Sequence, residues 1–177
     1  MDNWILRGRV WKYGDGVNTD VIFPGKYTYT LKEPGEIAAH ALEDLDPEFT
    51  RHAGPGDIIV AGRNWGNGSS REQAVTALKF RGISAIIAKS FARIYFRNGI
   101  NQGLLLITCP PLIDAAEGGD EIEIDVLQNT IRLRHQGFTF PPLSDQVLEM
   151  LQAGGLVPYL RKRLGLVSSD PVAMSGE

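Results

Sequence analysis

Three short apolar runs, Asp57-Ile58-Ile59-Val60-Ala61, Ile83–Ala88 and Leu104–Ile107, recur along the middle of the chain with room for one helix in each gap. Runs this short, with no polar face, predict strands covered on both sides, the signature of a parallel sheet flanked by helices. In the first gap a glycine-rich loop over Gly62–Ser69 leads to a helix starting at Ser70. That helix carries Ala74, Ala77, Leu78 and Arg81 on one stripe and ends at Gly82. In the second gap Phe91–Ile100 reads as a helix with Phe91, Ile94 and Tyr95 inward. The order strand, loop, helix, strand, helix, strand predicts a parallel βαβ core.

The flanks read differently. Ile5–Lys12 alternates in part and predicts a strand or a pair of short strands; a turn-rich segment, Tyr13–Asp20, follows. Val21-Ile22-Phe23 stops at Pro24-Gly25, and Lys26–Lys32 reads as a loop. A helix opens at Pro34-Gly35-Glu36, carries Ile37, Ala38, Ala41, Leu42 and Leu45 inward and stops at Asp46-Pro47. After Cys109-Pro110-Pro111 closes the third run, Ile122, Ile124 and Val126 alternate with acids. Gln128-Asn129 makes a turn, and Ile131 and Leu133 alternate again, so a hairpin with one polar face is expected. Ser144–Ala153 is a helix with Ser144 as N-cap and Gly154-Gly155 as its stop; Leu156–Arg163 is a short last helix or turn. The prediction is one mixed α/β domain over 1–164, a parallel βαβ core plus an antiparallel hairpin, with a frayed tail over 165–177.

Composition narrows the function. With 18 Lys+Arg against 21 Asp+Glu, the formal charge of -3 argues against nucleic acid as the main partner. One cysteine excludes an internal disulfide, and it excludes a zinc site or iron–sulfur cluster held by cysteines of this chain alone. No apolar run approaches the ~20 residues of a membrane span. Met1-Asp2-Asn3-Trp4 does not open a basic segment followed by an apolar one, so no signal peptide and a cytoplasmic location are expected.

The chemistry-bearing stretch is Gly62-Arg63-Asn64-Trp65-Gly66-Asn67-Gly68-Ser69-Ser70-Arg71-Glu72-Gln73. Ligands of open α/β sheets sit beyond the C-terminal strand ends, and helix starts offer free N–H groups to anions. Glycines let the backbone approach closely, while two hydroxyls and a guanidinium suit a carboxylate, which arginine grips through paired hydrogen bonds. Two readings stand side by side: a small-anion site, and a tight connection in which Ser69 or Ser70 merely caps a helix. Other motifs fail. Gly68 is followed by Ser69-Ser70-Arg71, not by the Lys of a phosphate loop, and Glu72 replaces the second glycine of a nucleophile elbow. Val17 occupies a ligand position of any calcium loop over Asp15–Asp20. His40 (in a helix), His52 (in a polar turn) and His135 (at a strand end) lack metal-ligand spacing.

Gly66-Asn67-Gly68-Ser69-Ser70-Arg71-Glu72 resembles the glycine–serine–serine–arginine–glutamate signature of the aconitase superfamily. Asn18-Thr19-Asp20 with Ile22 and Pro24 resembles its second signature; Ser90-Phe91-Ala92-Arg93-Ile94 with Asn101, Gly103 and Leu104 resembles a third. Their order and spacing, over about residues 6–164, are similar to the small subunit of the superfamily's two-chain hydro-lyases. The resemblance implies a swivelling β/β/α domain that caps a separate large subunit, whose cysteines hold a 4Fe-4S cluster; this chain would bind no cofactor alone. It implies that a hydroxy-diacid loses water and regains it with the hydroxyl moved. Ser69 would be the base, Ser70 and Arg71 would hold a substrate carboxylate, and Asp20 would lie close to the reacting centre. From the residues alone, Asp20 reads first as a turn or cap residue. Backbone N–H groups at a helix start, with Arg71, would stabilise the Ser69 alkoxide. Asn67, Gln73 and Trp65 depart from the cysteine, histidine and Phe or Tyr common at these positions.

In such relatives a loop after the second signature reads the substrate's variable group; here it is Tyr27-Thr28-Tyr29-Thr30. Members acting on tricarboxylates carry an arginine where counting from Asp20 lands on Tyr29. A third carboxylate without a cation would be buried unpaired at high cost. The expected substituent is therefore uncharged. Isopropyl comes first, in the exchange of 2- and 3-isopropylmalate on the route to leucine; methyl comes second. Lys26 could swing in for a charged group, and the loop could instead merely pack on the large subunit. Methylmalate or citraconate, dimethylmalate and homocitrate-type acids remain alternative substrates, and a non-catalytic carboxylate-binding module is the alternative of another class.

Overall fold

The computed structural model describes residues 3–166. The expected tail therefore lies outside the described residues from 167 onward. Seven strands, β1 (Ile5–Lys12), β2 (Ile58–Ala61), β3 (Ala85–Ala88), β4 (Leu105–Thr108), β5 (Glu121–Asp125), β6 (Thr130–Leu133) and β7 (Gln136–Thr139), form one mixed sheet in the order β4-β3-β2-β1-β5-β6-β7. The first four run parallel and the last three antiparallel. β1 joins the two halves. Ile5–Arg9 pair antiparallel with Asp125–Glu121, and Val10–Lys12 pair parallel with Ile58–Val60. β2 and β3 are buried at every residue, as sheet interiors covered on both faces must be. β5 and β6 bury alternate residues, so that half keeps one polar face.

The helices are α1 (Thr19–Ile22), α2 (Pro34–Ala39), α3 (Pro47–His52), α4 (Gln73–Phe80), α5 (Arg93–Asn101), α6 (Pro110–Ala115), α7 (Asp145–Gln152) and α8 (Leu156–Arg163). Ser144 caps α7 by accepting from the Val147 N–H, as expected, and Gly154 and Gly155 end it at positive φ. Among the described residues no helix is long and apolar enough to cross a membrane.

Several expectations are corrected. The helix from Pro34 ends at Ala39, not at Asp46. Leu42 adopts φ 56°, its N–H donates to Ile22 O at 2.9 Å, and its side chain is fully buried. Burying a leucine contributes about 1.5–3 kcal/mol, which offsets the ~1–2 kcal/mol of a left-handed residue. Asp46-Pro47 stops nothing; it opens α3, with Asp46 Oδ1 accepting from the Glu48 and Phe49 N–H groups, and it places His52 in a helix. Cys109-Pro110-Pro111 likewise opens α6. Gly25–Tyr27 form a single 3₁₀ turn within the expected loop. Ile94 is 52% exposed, because the buried stripe of α5 is Tyr95, Gly99 and Ile100 and Ile94 falls on its rim. The hairpin gains a third strand, β7, through a turn in which Arg134 takes φ 53°.

Candidate active site

The three motif segments follow β1, β2 and β3, so the parallel sheet delivers them to the same end of neighbouring strands. The glycine-rich loop lies between the other two and is stitched to both. Gly66 N–H donates to Val17 O at 2.8 Å, and Thr19 N–H donates to Asn67 O at 2.8 Å. On the other side Trp65 N–H donates to Ser90 O at 3.1 Å, and Ala92 N–H to Trp65 O at 2.9 Å. Each pairing is a parallel bridge, Asn18 with Asn67 and Trp65 with Phe91. The backbone thus fixes the loop before any side chain acts.

Gly66 shows why glycine stands there. Its φ is +77°, and a Cβ would come within 2.6 Å of Tyr95 Cβ, closer still to the ring. Tyr95 is buried, its hydroxyl donates to Ala74 O at 3.1 Å, and burial pushes its phenol above the ordinary range. It wedges between the loop and the start of α4.

α4 begins at Gln73, three residues later than expected, with Glu72 at its N-cap position and no side-chain cap. Neither Ser69 nor Ser70 caps it by a side-chain hydrogen bond. Ser69 Oγ instead lies 3.1 Å from Thr19 Oγ1. Ser70 O accepts from the Asn98 side-chain amide of α5 at 3.4 Å, and Glu72 pairs with Gln102. Asp20 and Arg71, 51 residues apart, form an ion pair through Oδ1 and Nη2. Asn18 Oδ1, accepting from Val21 N–H at 2.9 Å, caps the single turn that presents Asp20. Arg71 Nη1 is buried without a hydrogen-bond partner. It packs over Gly25, where a Cβ would sit 2.5 Å away.

Ser69, Arg71 and Asp20 are thus gathered at one face, with Ser70 beside them. Thr28 reaches it by its backbone, its carbonyl accepting from Gln73 Nε2 at 3.4 Å, while its hydroxyl is buried and unpartnered. Tyr29 is 91% exposed. Next to this loop Lys26 Nζ lies 3.3 Å from Glu43 Oε1 and 4.8 Å from the Tyr27 ring centroid. Burial disfavours the Glu43 carboxylate, but hydrogen bonds from His40, Tyr27 and Lys26 outweigh it and hold its carboxyl below the usual range. Sequence reasoning quoted Thr19 only as part of a motif and missed Gly25, Gln73 and Asn98 as supports. Only the Asn-Thr-Asp triplet carried a signal.

A profile of the aconitase C-terminal domain matches residues 20–112, just over half the chain and spanning all but the start of these segments. The chain belongs to the aconitase C-terminal domain family. Within this aconitase family it is 47% identical over 163 residues to the 3-isopropylmalate dehydratase small subunit of Thermodesulfovibrio yellowstonii, covering 91% of this chain and 96% of that protein. It is 48% identical over 165 residues to the small subunit of the same name from Aquifex aeolicus, covering 90% and 96%. The crystal structure of 3-isopropylmalate dehydratase from Methanocaldococcus jannaschii superimposes with a TM-score of 0.86 at 45% identity, covering 92% of this chain and 97% of that one. The aconitase-family swivel architecture, a mixed α/β domain, is therefore shown. The residues of this chain do not fit the cysteine-held cluster that the sequence resemblance implies. Its one cysteine, Cys109, is buried with Sγ 3.5 Å from Thr139 O, and burial pushes its thiol up. Among the described residues no group of His, Cys, Asp and Glu could hold a metal ion.

Proposed function

We propose that this chain is the small subunit of a two-chain hydro-lyase that interconverts 2- and 3-isopropylmalate in leucine biosynthesis. The observation that carries the reading is the convergence of three distant segments on one loop, which brings Ser69 against Thr19 and Arg71 against Asp20. Residues 1–164 make the swivel domain on this reading, and the location is cytoplasmic. The 4Fe-4S cluster belongs to the large subunit, consistent with the poor fit of Cys109 as a ligand. When present it supplies Lewis acidity to the departing hydroxyl.

This chain's own residues supply the rest. Arg71 and Ser70 bind one carboxylate of the dicarboxylate substrate. The guanidinium already holds one carboxylate, that of Asp20, through Nη2, which supports a carboxylate-gripping role. Ser69 Oγ takes the proton from the carbon beside the hydroxyl-bearing one. Asp20 sets the position of Arg71 close to the reacting centre. Thr28 and Tyr29 line the side that reads the substituent. Lys26, the nearest cation in sequence, is engaged by Glu43, which supports an uncharged group over a third carboxylate.

The test is anaerobic reconstitution with the large subunit and comparison of kcat/KM across isopropylmalate, citraconate, dimethylmalate and homocitrate-type acids. The isopropyl diacid is expected to lead, and Ser69→Ala to lose ~10²–10⁴-fold in kcat. Full activity in Ser69→Ala would remove the serine as base. Preference for a tricarboxylate would overturn the substrate assignment.

A further inference from the structure

The base assigned above is a serine, and it does not cap α4, which begins four residues further on at Gln73. Its oxygen faces a different group. Thr19 is 1% exposed; it and Thr76 are the buried polar side chains among the described residues. Thr19 Oγ1 and Ser69 Oγ are 3.1 Å apart, and among the described residues each hydroxyl finds only the other as partner. The contact is imposed by the backbone. Thr19 N–H is bonded to Asn67 O, Asn18 bridges Asn67, and Gly68 turns at φ +95°, where a Cβ would approach Thr19 Oγ1 to 3.3 Å. Threonine's branched Cβ stiffens χ1, so the hydroxyl is held in place.

We infer that Thr19 is a positioning residue for Ser69, its hydroxyl donating a hydrogen bond to the Ser69 oxygen whenever that oxygen serves as base. The inference rests on the reading of Ser69 as the proton acceptor. Each hydroxyl carries one proton. In the resting pair either can donate, but an ionised Ser69 oxygen has no proton to give, so Thr19 becomes the donor. A hydrogen bond to an ionised oxygen is shorter and about twice as strong as a neutral one, and a buried donor needs no reorganisation. As the substrate C–H bond breaks, the proton passes to Ser69 Oγ. The electron pair enters the new double bond as the neighbouring hydroxyl leaves as hydroxide. Thr19 keeps its own proton throughout. It also fixes which lone pair of Ser69 faces the substrate.

The test uses the reconstituted two-subunit enzyme. Thr19→Val removes the hydroxyl and keeps the shape; Thr19→Ser keeps the hydroxyl. Thr19→Val is expected to lower kcat by ~10²-fold, the scale of losing one preorganised donor, with KM nearly unchanged. The acid limb of its kcat profile should move to higher pH, and Thr19→Ser should restore both. A double-mutant cycle separates this role from a merely structural one. In a Ser69→Ala background Thr19→Val should cost nothing further in residual activity, whereas a folding defect would subtract again. Retention of kcat within about twofold in Thr19→Val, or equal losses in Val and Ser variants, would overturn the inference. If Ser69→Ala itself keeps full activity, the base assignment fails first; if it is inactive while Thr19→Val is normal, only the role of Thr19 fails.

Discussion

Gly66→Ala is the substitution whose consequence is most closely set by the geometry. Two costs combine. An alanine at φ +77° pays the strain of a left-handed non-glycine residue, about 1–3 kcal/mol. Its methyl group would also sit 2.6 Å from Tyr95 Cβ, against the 3.4–4 Å of ordinary contact. Tyr95 is 2% exposed and anchored to Ala74 O, so the ring has nowhere to retreat, and overpacking of this kind costs about 1–3 kcal/mol more. The expected loss of about 2–6 kcal/mol is a large part of a typical domain's stability, and it corresponds to a melting point lower by about 4–24 °C. The assay is urea unfolding followed by tryptophan fluorescence, for which buried Trp65 next to the substitution is a built-in reporter. Gly14→Ala is the control, with nothing within 4 Å of its added methyl, and should change stability by less than ~1 kcal/mol. Equal effects of the two substitutions, or a loss below ~1 kcal/mol in Gly66→Ala, would refute the wedge that Tyr95 makes between the loop and α4. Because Gly66 lies three residues before Ser69 in the same loop, activity should fall even under conditions where the variant is folded.

Other outcomes follow from the same contacts. Arg71→Lys keeps the charge and loses the forked grip, so KM for the diacid should rise more than tenfold while melting is little changed; an unaltered KM would detach Arg71 from the substrate. Asp57 Oδ2 accepts from Trp11 Nε1 at 2.8 Å, Arg9 Nη2 at 3.1 Å and Gly54 N–H at 3.1 Å, so Asp57→Ala should cost about 2–4 kcal/mol in urea titration. The phenols of Tyr13 and Tyr95 are both raised, Tyr13 by burial and then by its bond to Asp46, Tyr95 by burial. Their contribution to stability is full below the ordinary tyrosine value near 10 and is lost as pH rises above it, because the unfolded phenols ionise first. Alkaline unfolding should coincide with a step in absorbance from tyrosinate, and titration of all five tyrosines without unfolding would contradict it.

Local sequence suffices where one residue's neighbours along the chain settle its environment. The apolar runs at Ile58–Ala61 and Leu105–Thr108 became covered strands, Asn129 made its turn, and Ser144 capped its helix, since periodicity and capping depend on residues a few positions apart. The proline signals at Asp46-Pro47 and Cys109-Pro110 were ambiguous for a physical reason, because the same missing N–H that ends one helix is harmless at the first position of the next. Long-range packing decided the rest. Leu42 left the expected helix to be buried beside Ile22, and Ile94 turned outward because Tyr95 filled the space under Gly66. The motifs announced Ser69, Arg71 and Asp20. Their partnerships, Ser69 with Thr19 and Arg71 with Asp20, span 50 and 51 residues and exist only because adjacent parallel strands end side by side.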